Sequence, residues 1–156
     1  MIEIDVPGQR VYRLEHLVLD LNGTIALDGS IIKGVPERLD LLRRSLNIIV
    51  VTADTRGSTR KLRKGLQVNI HQVSPGDEQL QKLKFVQQLG SNTTVVLGNG
   101  SNDASMLKES ILGICVLGAE GASAEAIASC DVLVADINAG LDLLIKPIRL
   151  IATLRK

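Results

Sequence analysis

The chain has 156 residues, a formal net charge of +1 and a hydrophobic fraction of 45%. That length suits about one domain, and an aromatic fraction of 1% makes its core aliphatic. The near-neutral charge gives no reason to expect a nucleic-acid partner, and no apolar run approaches the roughly 18 residues of a membrane span.

In chain order, residues 2–6 alternate, Pro7-Gly8 turns the chain, and residues 11–14 complete a β-hairpin over about 2–14. His16-Leu17-Val18-Leu19-Asp20 is an apolar run ending in a carboxylate, with a turn at Gly23. Such a run reads as a buried parallel strand, and ligands bind beyond the carboxyl ends of such strands. Asp28-Gly29 between apolar residues predicts a second hairpin over about 25–32. A helix over 36–46 follows, then a strand over 47–52 ending in Thr52-Ala53-Asp54. A short basic helix over 58–66 and a strand over 68–73 come next. Pro75-Gly76-Asp77 opens a helix to Leu89, and a strand over 93–97 ends at Gly98-Asn99-Gly100-Ser101-Asn102-Asp103. Helices over 104–110 and 122–129 alternate with strands over 112–117 and 132–135. Pro147 should kink or split a last helix over 137–154. This alternation predicts a three-layer α/β/α sandwich with a mostly parallel sheet, as a single domain over 1–156.

Polar residues gather at the strand ends. The first strand brings Asp20 and Asn22, the second Thr52 and Asp54, and the fourth Asn99, Asn102 and Asp103; the helix after the third carries Lys82 and Lys84. A carboxylate nucleophile, a hydroxyl, a lysine and a distal carboxylate suit phosphoryl transfer, which spreads negative charge over three equatorial oxygens. Lys82 shares a helix face with Val86 and Leu89, whereas Lys84 is expected in solvent.

The sequence resembles the haloacid dehalogenase superfamily of phosphohydrolases, and within it the phosphorylation domain of P-type ATPases and the soluble P-type ATPase-like proteins. Asp20-Leu21-Asn22-Gly23-Thr24, Val51-Thr52-Ala53-Asp54, Lys82 and the Gly98–Asp103 run match the four family motifs in order. The resemblance implies a Rossmann-like fold and an aspartyl-phosphate on Asp20. It implies that Thr52, Ala53 and Lys82 hold phosphoryl oxygens. Asp20, the carbonyl of Asn22 and the side chain of Asn99 would ligate Mg²⁺, and Asp103 would hold metal-bound water or orient the lysine. Asp54 and Asn102 are further candidates. The implied substrate is a phosphorylated small molecule or macromolecule.

Two positions depart from the family pattern. Its phosphatases carry Asp two residues after the nucleophile, as general acid and base; Asn22 cannot transfer a proton. The fourth motif there begins Gly-Asp, and here it is Gly98-Asn99. Slow turnover is therefore expected. The other expectation is a catalytically weak protein that binds phosphate or a phosphorylated partner as a regulatory subunit. There is no room for the nucleotide-binding insert of the pumps, so ATP hydrolysis is not expected.

There is also no room for a cap domain, so the site is open. It must admit a large substrate or be covered by a second copy of the chain. A homo-oligomer is expected, with the apolar residues of the 25–32 hairpin either meeting that copy or folding onto their own chain. Arg60, Lys61, Arg63 and Lys64 read as a solvated face, Arg56 as a weak substrate contact, and His16 and His71 as structural. Cys115 and Cys130 lack metal spacing and are expected as buried, reduced thiols. The acidic start at Glu3 and Asp5 is unlike a signal peptide, which points to the cytoplasm.

Overall fold

A computed structural model describes residues 1–53 and 65–156 of the chain. Asp54, Arg56, the basic run and most of the helix predicted over 58–66 lie outside the described residues.

The chain opens with an antiparallel pair, β1 (Ile2–Asp5) and β2 (Val11–Leu14), with Ile4 opposite Tyr12. β3 (His16–Asp20) is the apolar run. The short β4 (Ala26–Leu27) and β5 (Ser30–Ile31) form the second hairpin, with both turn residues, Asp28 and Gly29, at positive φ. That is what a two-residue primed turn requires. Then come α1 (Val35–Leu42), β6 (Asn47–Thr52), β7 (Asn69–Gln72) and α2 (Glu78–Leu89). A 3₁₀ turn (Ser91–Thr93) leads into β8 (Thr94–Gly98). A second 3₁₀ turn (Ser101–Asp103) runs directly into α3 (Ala104–Glu109), followed by β9 (Leu112–Val116). The chain closes with α4 (Ala124–Ser129), β10 (Val132–Val134), α5 (Ile137–Ile145) and α6 (Pro147–Leu154).

Six strands form one sheet in the order β10-β9-β8-β3-β6-β7, with every pairing parallel. From β3 the chain moves outward through β6 and β7, then returns to the other side of β3 at β8. The strand order therefore reverses at β3, the position where open α/β sheets leave a crevice at their carboxyl edge. Side chains alternate between the two sheet faces. Leu17 and Leu19 join the larger apolar cluster with α1 and α5 residues such as Leu39 and Leu141. Val18 joins a second cluster with Val51, Val86, Val96 and Met106. The result is a three-layer α/β sandwich.

Two boundaries differ from the sequence reading. The α2 helix starts at Glu78 because Gly76 and Asp77 are left-handed, at φ 87° and 49°. The Gln81 side chain holds that entry loop, donating to the carbonyls of Ser74 (2.9 Å) and Gly76 (2.6 Å). The α1 helix stops at Leu42, four residues early, where Arg43 turns to donate to the Leu66 carbonyl at 2.6 Å. Pro147 splits the last helix as predicted, at Lys146.

The hairpin's apolar residues fold onto their own chain. Ile25 is fully buried, and Ile31 and Ile32 pack against the larger cluster. Cys115 is buried, but Cys130 is only half-buried just after the short α4, and neither forms a disulfide. His71 stacks on Phe85 at 3.9 Å between ring centroids, and burial holds its pKa below the usual value. Among the described residues, no helix is long and apolar enough to cross a membrane.

Candidate active site

Asp20 shares a strand face with Val18, two residues earlier. That face is covered by α2 and α3, so Asp20 emerges at the carboxyl edge beneath those helices rather than beneath α1. On α2, Lys82 lies one turn before Val86, which packs in the same cluster as Val18. The spacing that buries Val86 also drives Lys82 onto Asp20. The Lys82 Nζ donates to Asp20 Oδ1 at 2.7 Å and to Asp103 Oδ1 at 2.7 Å. Exposures are 7% for Asp20, 1% for Lys82 and 0% for Asp103, so all three charges are withdrawn from water.

Asp103 is fixed by the turn after β8. Its Oδ2 accepts the backbone N–H groups of Asn99 and Gly100, both at 3.0 Å. Gly98 makes this closeness possible: a Cβ there would lie 2.7 Å from both Cγ and Oδ2 of Asp103. Both of its oxygens are thus engaged, Oδ1 by Lys82 and Oδ2 by the turn.

Burial raises the Asp20 pKa to about 6; the Asp103 carboxylate adds to the rise, and Lys82 and Thr24 oppose it. For Lys82, burial pushes the pKa down, but the two carboxylates together outweigh it and leave the ammonium above its ordinary value. The lysine is charged at any physiological pH, and the aspartate changes charge within reach of one.

Thr24, the last residue of the first motif, is fully buried. Its hydroxyl lies 3.1 Å from Asp20 Oδ2 and 3.2 Å from Asn99 Oδ1. One hydroxyl has one proton to donate, so these two oxygens converge on a single point and share it. Asn99 is oriented from behind: its Nδ2 donates to the Gly121 carbonyl at 3.2 Å, and its own carbonyl accepts from the Ser123 N–H at 2.9 Å. Its amide oxygen is thereby turned toward Asp20.

The remaining predicted residues are spread around this centre. Thr52 ends β6 beside Asp20's strand and is 2% exposed, and Ala53 follows it, half-buried. Asn22 is exposed in the turn after β3, and Lys84 faces solvent. Asn102 is turned away from Asp20, donating to Glu78 Oε2 at 3.1 Å. Glu78 lies one turn before Lys82, so this bond stands one turn outside the Lys82–Asp103 pair. It borders a cleft of about 400 Å³ lined by Gly76, Asp77, Glu78, Leu80, Ser101 and Asn102.

The donor set around Thr24 fits a hard divalent cation. It consists of oxygens: the Asp20 carboxylate and the Asn99 amide, with the Asn22 carbonyl following in the same turn. Among the described residues no group of three or more His, Cys, Asp or Glu is arranged to hold a metal. A cation here would rest on one carboxylate and neutral oxygens.

Fold and site together define a capless chain with the haloacid dehalogenase fold. A 3-deoxy-D-manno-octulosonate 8-phosphate phosphatase from Moraxella catarrhalis, crystallised with magnesium, phosphate and KDO, superposes with a TM-score of 0.69 at 16% identity. The match covers 92% of this chain and 95% of that one. The cobalt-bound deoxy-D-mannose-octulosonate 8-phosphate phosphatase from Haemophilus influenzae gives 0.70 at 10% identity, covering 86% and 89%. A phosphoserine phosphatase in its apo form gives 0.69 at 13%, covering 86% and 99%. No protein-family model matches the sequence. By sequence, the chain is 45% identical over 84 residues to MJ0073 of Methanocaldococcus jannaschii, which spans 51% of this chain and 90% of that protein. It is 54% identical over 39 residues to MJ0072 of the same organism, covering 25% and 89%. The chain belongs to the family of these two archaeal proteins. It is also 27% identical over 88 residues to the chloroplastic copper-transporting ATPase PAA1 of Arabidopsis thaliana, 55% of this chain and 9% of that one.

Proposed function

We propose that the chain is a phosphohydrolase or phosphotransferase in which Asp20 accepts the phosphoryl group of a phosphorylated small molecule. The observation that carries this reading is the buried bridge from Asp20 through Lys82 to Asp103, at the strand where the sheet order reverses. An oxygen of ionised Asp20 forms the new bond to phosphorus. The bond from phosphorus to the leaving oxygen breaks, and that oxygen departs with its electron pair and takes a proton from water. A water molecule then attacks phosphorus, releasing phosphate and restoring the carboxylate. Lys82 offers fixed positive charge to the phosphoryl oxygens in a site shielded from water, where such charge is most effective. Thr52, buried at the end of β6, would add a hydroxyl to the phosphoryl oxygens. The cleft next to Glu78 and Asn102 offers room for the leaving group.

Mg²⁺ would be held by Asp20, the Asn22 carbonyl and the Asn99 amide oxygen, and when bound it supplies neutralising charge to the phosphoryl group. The magnesium and phosphate in the Moraxella structure support this choice. The exposed amide of Asn22 cannot move the proton that hydrolysis of an aspartyl-phosphate requires. This favours slow turnover, or a second reading in which the chain holds phosphate or a phosphorylated partner without turning it over. A second copy covering the open cleft belongs to the same proposal, and light scattering tests it.

Hydrolysis of a generic phosphoester with and without Mg²⁺, and beryllofluoride binding, decide between the readings. Turnover that needs Mg²⁺ and vanishes in Asp20→Ala supports the enzyme. Beryllofluoride binding with no turnover supports the binding protein. Unchanged hydrolysis in Asp20→Ala overturns the assignment of Asp20.

A further inference from the structure

The turn that carries Gly23 is covered by the loop after β9, and one side chain of that loop has no role in the site described so far. Gly23 sits at φ 79°, and a Cβ on it would lie 2.3 Å from Oε2 of Glu120 and 2.6 Å from Nδ2 of Asn99. A Cβ on Gly118 would lie 3.3 Å from the Gly23 carbonyl oxygen. The loop therefore seats its backbone on the first-motif turn and lays the Glu120 carboxylate along the α-carbon of Gly23, beside Asn99. The adjoining residue, Gly121, accepts the hydrogen bond that orients Asn99. Among the described residues, no ion pair or hydrogen bond engages the Glu120 carboxylate.

The charge balance of the site explains why a carboxylate there matters. Asp20 and Asp103 are both paired with Lys82, and positions 22 and 99 are neutral amides. The oxygens that converge on Thr24 thus bring one shared negative charge to a divalent cation. Glu120 places a second charge beside Gly23 and the Asn99 amide, one residue from the clamp on Asn99.

We propose that Glu120 is a cation-positioning residue, supplying through the cation's water shell the negative charge that Asn22 and Asn99 lack. Mg²⁺ retains several waters when bound by few protein oxygens, and partners acting on that shell typically tune affinity. The open φ of Gly23 and its missing side chain leave the space in which the carboxylate lies. The inference rests on the cation site at Asp20 and Asn99 proposed above.

The test is calorimetric titration of the full chain with Mg²⁺ alone, without substrate. Wild type is compared with Glu120→Gln, Asp20→Asn and Glu125→Gln. Glu125 is exposed and bonded to Gln79, so its variant reports any general effect of surface charge. The expected result is an affinity lowered roughly 10- to 100-fold in Glu120→Gln, at least as much in Asp20→Asn, and unchanged in Glu125→Gln. Circular dichroism confirms that each variant is folded. If Asp20→Asn weakens Mg²⁺ but Glu120→Gln does not, the role of Glu120 is refuted and the cation site stands. Equal losses in Glu120→Gln and Glu125→Gln also refute it. No Mg²⁺ binding by wild type at millimolar concentration overturns both.

Discussion

Asp20 and Lys82 meet at 2.7 Å in a place almost closed to water, yet the aspartate is held at a pKa of about 6. The ion pair does not restore a normal carboxylate, because burial and the second carboxylate, Asp103, both oppose ionisation. In the proposed reaction only the ionised form would attack phosphorus. Activity is therefore expected to fall about tenfold per pH unit below 6 and to level off above it. The pH profile of kcat/KM on a generic phosphoester checks this, and a flat profile from pH 5 to about 7 contradicts it.

The same shift has a consequence for stability. A carboxyl whose folded pKa lies above its unfolded value stabilises fully below the unfolded value, near 3.8, and that contribution is lost as pH rises through about 6. Ionised Asp20 thus burdens the fold at neutral pH. Asp20→Asn keeps the shape and removes the charge, and Lys82 retains Asp103. The variant should be more stable than wild type at pH 7, by on the order of 2 kcal/mol, with no phosphoryl transfer. Thermal unfolding between pH 4 and about 7 should show the gap opening as pH rises.

Removing the cation is the opposite case. Lys82→Met leaves two buried carboxylates facing each other without a partner. Breaking a buried ion pair on one side typically costs about 3 to 5 kcal/mol. Adding Asp20→Asn to Lys82→Met should recover a large part of that loss. Urea unfolding of the two single variants and the double variant measures the coupling, and strictly additive effects would argue against the bridge.

Asn22 is exposed in the turn that follows Asp20. Asn22→Asp adds a group able to accept a proton, and general acid–base help is typically worth about 10² to 10⁴ in rate. Turnover should rise with little change in stability. Asn22-Gly23 is an Asn-Gly pair, so intact mass must be verified in each assay. Brisk turnover by fresh Asn22 protein, with no gain in the variant, would assign the proton to another group.

The strands and their polar ends could be read in the sequence because a buried parallel strand is a short apolar run, and because strand and helix periods fix which residues share a face. Val18 with Asp20, and Lys82 with Val86, follow from those two periods. Other features depend on contacts that no period encodes. Thr24 belongs to a turn, and only the chain's return at β8 brings Asn99 within 3.2 Å of it. Glu120 lies on an exposed loop whose approach to Gly23 is set by backbone packing. The start of α2 moved because Asp77, read as a helix opener, adopts a left-handed conformation instead.

The reversal of strand order also bears on how the chain acquires its site. Asp20 and Lys82 are 62 residues apart in sequence, Lys82 and Asp103 are 21 apart, and Thr24 and Asn99 are 75 apart. Contacts of such long range are made only after large loops have closed, and they slow folding. Three charges meeting inside an apolar wall give a collapsing chain no early gain, since each is costly to bury before its partners arrive. The centre should thus be assembled last, after β8 docks beside β3. In refolding experiments, recovery of beryllofluoride binding should lag behind recovery of far-ultraviolet circular dichroism, so that ligand competence reports completion of the native topology.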